Sequence, residues 1–410
     1  MRIVMLSDFE TQFGAAISAS RLAEALCRQH RVTRIVGWCD AAAHPWTTVR
    51  LWPSLFAWGM RHVMPDASWR EFSARFLSRR LRSIIDDLQP DVINVHNLHG
   101  MSWTGWSINL VRECAASAPT VWTLHDMWSF TGRCAYSYDC GKFSTGCDTT
   151  CPTPSEYPDL QPARIQRTWR QRRDLLDSLA HLTAVAPSMW LERQAHSGLW
   201  ANHRIEVIPY GLSLNTYFLV PRKQARMELG LHPTRPVVVV AAANLTERRK
   251  GVSMLVEALR RLRPRPITVI TLGDGQLDCH IDGIDLHPMG YISDERAKAM
   301  VYNAADLLVH PAPVDNLPNT VMEALACGTP VVGFPIGGVP EMVRPGKTGW
   351  LAEDVSSDAL ARTLSEALDQ VSSGVDLRGG CRAVAEADYS LERQAVRYTA
   401  LFESLLSSKV

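Results

Sequence analysis

Strand-length apolar runs recur along this chain, with amphipathic helix-length stretches between most of them, and no other feature constrains the fold as strongly. Six such runs fill the first half: RIVMLS (2–7), TRIVGW (33–38), DVINVHN (91–97), TVWTLHD (120–126), LTAVAPS (182–188) and RIEVIPYG (204–211). Continuous apolar runs of this length suit parallel strands covered on both faces. A second series follows Pro221. It runs PVVVVAAAN (236–244), the amphipathic GVSMLVEALRRL, PITVITLGDG, DLHPMGYIS, ADLLVHPAP, the helical NTVMEALACG and TPVVGF. Strands alternating with helices imply parallel sheets with right-handed crossovers, so the predicted class is α/β. Two series of similar size predict two doubly wound, Rossmann-like domains facing a central cleft, over 1–208 and 209–388. A closing amphipathic helix, LERQAVRYTALFESLL, lies within a last segment, 389–410, with no strand after it. Ligands of such sheets sit beyond the carboxyl ends of the strands, which directs attention to the strand-to-helix loops.

Composition narrows the function. The 410 residues are 46% hydrophobic, ample for two cores, and 43 basic residues against 42 acidic give a net charge of +1. A nucleic-acid binder acting through bulk charge would be far more lopsided, so no nucleic-acid partner is expected. The longest apolar stretch, 237–245, is strand-sized, and Asp8 and Glu10 interrupt any signal-peptide core. The expectation is a cytoplasmic protein. Of ten cysteines, Cys27, Cys39, Cys114, Cys279, Cys327 and Cys381 are scattered singly, unlike a secreted disulfide framework.

The most informative segment is residues 309–353, VHPAPVDNLPNTVMEALACGTPVVGFPIGGVPEMVRPGKTGWLAE. A strand ends near His310, a loop carries Asp315, and a helix is expected from about Leu317 with Glu323 on it. Unpaired amides and the dipole at a helix start favour a phosphate. Carboxylates beside it accept hydrogen bonds from vicinal hydroxyls, a combination that suits a sugar nucleotide. On spacing alone a plainer reading stands equally: Asp315 caps the helix and Glu323 is a solvated helix residue.

This segment resembles the donor-site motif of retaining glycosyltransferases of the GT-B fold, family 4, the "group 1" enzymes. The resemblance rests on Asp315, Glu323-Ala324, Ala326, Gly328, Pro330-Val331-Val332, and Gly337-Gly338 with Glu341. It implies that Glu323 binds the ribose hydroxyls and Asp315 faces the donor sugar, where the family usually has Glu. It also implies that the amides over Asn316, Leu317 and Asn319 meet the sugar or diphosphate, and that the base lies near Tyr291 and Ile292. A second match, AANLTERRKGVSMLVEAL (242–259), places Lys250 at the leaving diphosphate. The Arg expected in that turn is Asn244 here, which leaves the second cation to Arg248 or Arg249. In the first half, Gly14, after the first strand, is a further donor-binding residue implied by the resemblance, with Phe13 where the family usually has another glycine. His125 matches a histidine that contacts the transferred sugar. His96 and His99 are expected on the acceptor side.

Two further features stand apart. Cys134, Cys140, Cys147 and Cys151, in a loop over 130–152, have the spacing C-x5-C-x6-C-x3-C. Four thiolates can hold a tetrahedral structural zinc; reduced thiols and disulfides are the other readings. Residues 51–85 mix Trp52, Phe56, Trp58 and Trp69 with Arg61, Arg70, Arg75, Arg79, Arg80 and Arg82, and 163–173 is also basic. Such stretches lie on anionic membranes or simply present a solvated face.

The resemblance implies a retaining, metal-independent transfer from a UDP- or GDP-sugar to a hydroxyl of a glycan or lipid-linked acceptor. The setting it implies is bacterial cell-surface polysaccharide assembly at the inner face of the membrane. His125, Lys250 and Asp315 would be catalytic, with no cofactor beyond a structural zinc. A GT-B nucleotide-sugar epimerase and a degenerate binding scaffold are the rival readings.

Overall fold

The computed structural model describes residues 1–52, 66–262, 265–277 and 280–407. Phe56, Trp58, Arg61, Cys279 and the side chain of Arg70 lie outside the described residues. The chain forms two compact units, 1–209 with 394–410, and 210–393.

The first unit is built on seven parallel strands: β1 (Arg2–Phe9), β2 (Arg31–Trp38), β3 (Thr47–Arg50), β4 (Val92–Val95), β5 (Thr120–Thr123), β6 (Thr183–Ala186) and β7 (Ile205–Val207). Their spatial order is β3-β2-β1-β4-β5-β6-β7. Period-two alternation assigns β1 to two cores. Ile3 and Met5 join Leu22, Leu26, Val92 and Val121 on one face, and Val4 and Leu6 join Ile35, Ile93 and Trp122 on the other. The helix Leu391–Ser407 sends Tyr398, Leu401 and Phe402 into the first of these cores, and the Tyr398 hydroxyl meets Thr123 Oγ1 at 2.9 Å.

The second unit has six parallel strands: β8 (Val237–Asn244), β9 (Ile267–Asp274), β10 (Ile284–Pro288), β11 (Leu307–His310), β12 (Val331–Gly333) and β13 (Gly349–Leu351). They lie in the order β10-β9-β8-β11-β12-β13. Its helices start on sequence signals. Asp294 caps Glu295–Ala304 through the amides of Arg296 and Ala297, and Ser356 caps Ser357–Ser372 through that of Ala359. The helix expected from Leu317 starts at Asn319 instead. Pro318 disfavours helical backbone at the residue before it, and the Leu317 side chain packs into the core.

Both sheets start near the middle, run to one edge, then resume on the other side of the first strand. The switch points are β1/β4 and β8/β11. At such points the diverging loops leave a crevice beyond the strand ends, the usual ligand position in doubly wound sheets. No described helix is long and apolar enough to cross a membrane.

Candidate active site

At the β8/β11 switch point, charges of opposite sign converge. β8 ends at Asn244, and a single 3-10 turn, Arg248–Lys250, leads through Gly251 into the helix Val252–Arg261. Gly251 has φ +67°, and a Cβ there would lie 1.9 Å from the Pro311 carbonyl oxygen, so only glycine lets this turn approach the loop after β11. That approach brings Lys250 Nζ to 3.2 Å from Asp315 Oδ2, with Arg249 Nη1 at 3.8 Å and His310 Nε2 at 3.8 Å. Asp315 is 7% exposed. Burial pushes its carboxyl upward, but Lys250, then Arg249 and His310, hold it well below the usual carboxylate range. Burial lowers His310 to about 4, against the pull of Asp315, so its ring is neutral near pH 7. A second glycine is required from the other side: a Cβ on Gly337 would sit 1.9 Å from the Asp315 carbonyl oxygen.

One turn into the helix Asn319–Ala326, Glu323 is 3% exposed and not a solvated helix residue. The Tyr302 hydroxyl donates to its Oε2 at 3.2 Å, and Lys298 Nζ is 3.8 Å from Oε1. Asp315 and Glu323 are thus held by different partners, one by the turn after β8 and the other by the helix Glu295–Ala304. The Asn316 amide donates to Asp315 Oδ1 at 2.9 Å, so this expected donor contact is occupied by the neighbouring carboxylate. Asn319 is half-buried at the first helical position, Tyr291 is exposed and Ile292 packs at the core edge. Asn244 serves its own turn, accepting from the amide and hydroxyl of Thr246 at 2.9 and 2.7 Å. Arg248 is exposed, whereas Arg249 also pairs with Glu247 at 3.0 Å.

The β1/β4 switch point has a different chemistry. Asp8 is buried and accepts from the amides of Phe9 and Gly100, both at 2.9 Å, and from Asn97 Nδ2 at 3.2 Å. Burial raises its carboxyl to about 6, against the pull of His99. His99 Nε2 meets Asp126 Oδ2 at 2.8 Å, and its Nδ1 lies 3.1 Å from the Tyr157 hydroxyl. Burial pushes Asp126 up, but His99 carries it below its ordinary value. His125 Nε2 meets His96 Nδ1 at 3.0 Å. Burial lowers His125 to about 4 and holds His96 well below its ordinary value, so both rings are neutral near pH 7. Gly14 is exposed at the start of the helix Phe13–Leu26, and Phe13, 57% exposed, has φ +69° with its ring against Phe9.

Several of these residues escaped the sequence reading. His310 ends β11 inside the very motif quoted, and the rule that strand ends carry ligand groups could have singled it out. Lys298 and Tyr302 stand four apart on one helix face, a spacing that signals neighbours but not what they meet. Asp8 is a single acid at the end of an apolar strand, and nothing in its spacing signals that it meets the Gly100 amide.

Two family models match the chain. That of glycosyltransferase family 4 covers residues 14–216, and that of the group 1 glycosyl transferases covers 236–370. The chain belongs to glycosyltransferase family 4. Its fold is GT-B. The sucrose-phosphate synthase of Thermosynechococcus elongatus aligns over 99% of both chains with a TM-score of 0.74 at 20% identity. WaaG, a glycosyltransferase involved in lipopolysaccharide biosynthesis, aligns over 98% of this chain and 99% of its own with a TM-score of 0.65 at 14% identity. In sequence, this family 4 chain is 29% identical over 284 residues to WcaC of Escherichia coli K12, named for a glycosyl transferase of colanic acid biosynthesis. That match covers 65% of this chain and 66% of WcaC. AmsK of Erwinia amylovora, an amylovoran biosynthesis glycosyltransferase, is 29% identical over 42% of this chain and 45% of its own. The matched stretches thus span two thirds or less of these relatives.

Proposed function

We propose that the chain is a retaining glycosyltransferase that moves a sugar from a UDP- or GDP-sugar to a hydroxyl of a glycan or lipid-linked acceptor in cell-surface polysaccharide assembly. The observation that carries this reading is the convergence of Lys250 and Arg249 on buried Asp315, beside a Glu323 carboxylate backed by Tyr302 and Lys298. Relatives named for colanic acid and amylovoran biosynthesis support the setting. A neighbour of the same fold, HepE of Anabaena, was crystallised with UDP-glucose, which supports the donor class (TM-score 0.67, 17% identity, 98% of this chain and 100% of that one).

In this mechanism Glu323 accepts hydrogen bonds from the ribose hydroxyls and Asp315 faces the sugar while fixing the Lys250 ammonium. The bond from the anomeric carbon to the diphosphate breaks as negative charge gathers on the leaving oxygens. Lys250 and Arg249 neutralise that charge, the part a metal ion plays in other transferases. The acceptor oxygen attacks from the same face and its proton passes to the departing diphosphate. His125, neutral and paired with His96, offers a hydrogen bond to a sugar hydroxyl without competing for the phosphates. Two half-buried cations held at this point take the place of a divalent ion, so transfer should survive EDTA. The enzyme would work in the cytoplasm, meeting lipid-linked acceptors at the inner face of the membrane. On the long basic helix Asp66–Leu88, Arg82 pairs with Glu113 and Arg75 with Glu71.

The decisive experiment incubates the purified chain with UDP- and GDP-sugars, with and without acceptor lipid extract, and follows nucleotide release and the anomeric configuration of the product by NMR. Acceptor-dependent UDP or GDP release with retention is expected. Conversion of the donor without any acceptor would make the protein an epimerase. Absence of calorimetric binding to both UDP and GDP would make it a scaffold.

A further inference from the structure

The segment between β5 and the helix Pro162–Ser178 carries four cysteines that sugar transfer does not use. Cys134, Cys140, Cys147 and Cys151 line one pocket together with Thr131, Arg133 and Phe143, and all four are thiols. Cys134 and Cys147 are buried, and the Gly132 amide donates to Cys147 Sγ at 3.2 Å. Two guanidiniums accompany them. Arg133, which lines the pocket, and Arg172, beside Cys147 and Cys134, are each 2% exposed.

Both guanidiniums hydrogen-bond to neutral oxygens. Arg133 donates to the carbonyls of Thr153, Glu156 and Pro158 and to the Thr153 hydroxyl. Arg172 donates to the Thr131 carbonyl and stacks over Trp128 at 4.2 Å. The Nε of each is buried without a hydrogen-bond partner. The carboxylate near Arg172 is Asp126, already engaged by His99 at 2.8 Å. Two buried cations against one committed carboxylate are unbalanced, and an unpaired buried charge is costly. Asp148, a carboxylate that also lines the pocket, is engaged by Lys142 at 3.0 Å, which leaves the four thiols, as thiolates, to balance the guanidiniums.

We propose that these four cysteines bind one zinc ion as a tetrahedral tetrathiolate centre. Binding forms four Zn–S bonds and breaks four S–H bonds, four protons leave to solvent, and no oxidation state changes. The centre then carries two negative charges opposite the two guanidiniums. With all four positions taken by sulfur, no water can be activated, so the ion is structural. It staples the loop that starts immediately after His125 and Asp126.

Binding requires the loop to close. Among the described residues, the group of three metal-ligating side chains already within 4.8 Å of one another is Glu10, Asp40 and His44. That group is satisfied without an ion: Trp46 and Thr48 donate to Glu10, and Thr11, the Ala42 amide and His44 meet Asp40. The cysteines sit on short turns bounded by Gly132, Gly141 and Gly146; a Cβ on Gly132 would lie 2.7 Å from Cys147 Cβ, so the chain already approaches itself closely there.

The test is elemental analysis of the full chain purified without chelators or an affinity tag that binds metal. About one zinc per chain, retained through gel filtration, is expected from a closed four-ligand site. Cobalt exchanged into the wild-type protein should give thiolate-to-cobalt charge transfer and the d–d bands of a tetrahedral site. The double variant Cys147→Ser/Cys151→Ser should lose the ion, and Asp40→Asn/His44→Gln should keep it. Should the double cysteine variant fail to fold, the cobalt spectrum of the wild type decides. Zinc-free protein with four reactive thiols, a disulfide among the four by mass spectrometry, an iron–sulfur spectrum, or loss of zinc in the Asp40/His44 variant would each overturn the proposal.

Discussion

The two sheets share an architecture and differ in the charge they place at the same topological position. At the β8/β11 switch point, Lys250 and Arg249 hold Asp315 well below the usual carboxylate range against the upward push of burial, and Lys298 stands 3.8 Å from Glu323. At the β1/β4 switch point, two neutral histidines, a histidine paired with Asp126, and an Asp8 pushed toward protonation offer hydrogen bonds with little net charge. The difference teaches a division of labour written in electrostatics. A dianionic leaving group needs preorganised cations, whereas neutral hydroxyls need donors and acceptors that do not attract phosphate. Fold alone therefore does not assign the roles; the side chains at the strand ends do.

Removing a cation from the charged site should give the largest effect. Lys250→Ala should lower kcat about 10²-fold or more while the acceptor KM changes little, the pattern of a contact made in the transition state. It leaves Asp315 with Arg249 at 3.8 Å, so the chain should fold with reduced stability. An unchanged kcat, measured by steady-state nucleotide release, would break the contrast between the two sites. Next in size, Glu323→Gln keeps the side-chain shape and removes the charge that Tyr302 and Lys298 support. The donor KM should rise about tenfold with kcat nearly intact, in keeping with the loss of a hydrogen bond to a charged group. Isothermal titration with UDP and GDP checks the same point without an acceptor.

How much of this was legible in the sequence follows from the physics of each element. β1 and β8 were legible because burial on both faces writes a continuous apolar run, and β3 was not, because TTVR is short and half-exposed. Asp315, Glu323 and Lys250 were legible as a spaced motif. Their partners Tyr302 and His310 were not, since a tyrosine on a helix face and a histidine at a strand end are common and only packing brings them to the carboxylates. The helix Asn319–Ala326 starts two residues after the expected Leu317 because Pro318 disfavours helical backbone at the residue before it, which the polar pattern does not show.

The weakly charged site can be broken by pH. Asp8 sits at about 6 in the fold against 3.8 when unperturbed, so the folded chain binds this proton more tightly than the unfolded one. Its contribution is fully present below the lower value and is lost as pH rises through the higher, about 3 kcal/mol in all. His125 and His310 run the other way. Each is lowered to about 4 from 6.5, so their contribution is present above the upper value and lost as pH falls through the lower. Asp8→Asn should therefore gain stability on the wild type progressively between pH 4 and 6, as read from urea unfolding at each pH. A constant difference across that range would mean that Asp8 is ionised throughout, and the two sites would then be electrostatically alike.

The smallest expected effect concerns the entry to the helix Phe13–Leu26. Phe13 holds φ +69°, a region where side chains other than glycine pay sterically, and its ring stands 57% exposed with an edge contact to Phe9 at 5.0 Å. Left-handed backbone costs a residue with a Cβ about 1–2 kcal/mol. The exposed ring recovers only part of that through Phe9. Phe13→Gly relieves the strain but adds backbone freedom to the unfolded chain, so the net stabilisation should be about 0.5–1 kcal/mol, seen as a small rise in Tm. Donor affinity should not move, because the change lies in the unit without the cationic site. A loss of stability would show that the Phe9–Phe13 contact outweighs the strain. A loss of donor affinity would show that this turn, and not the turn after β8 alone, grips the nucleotide.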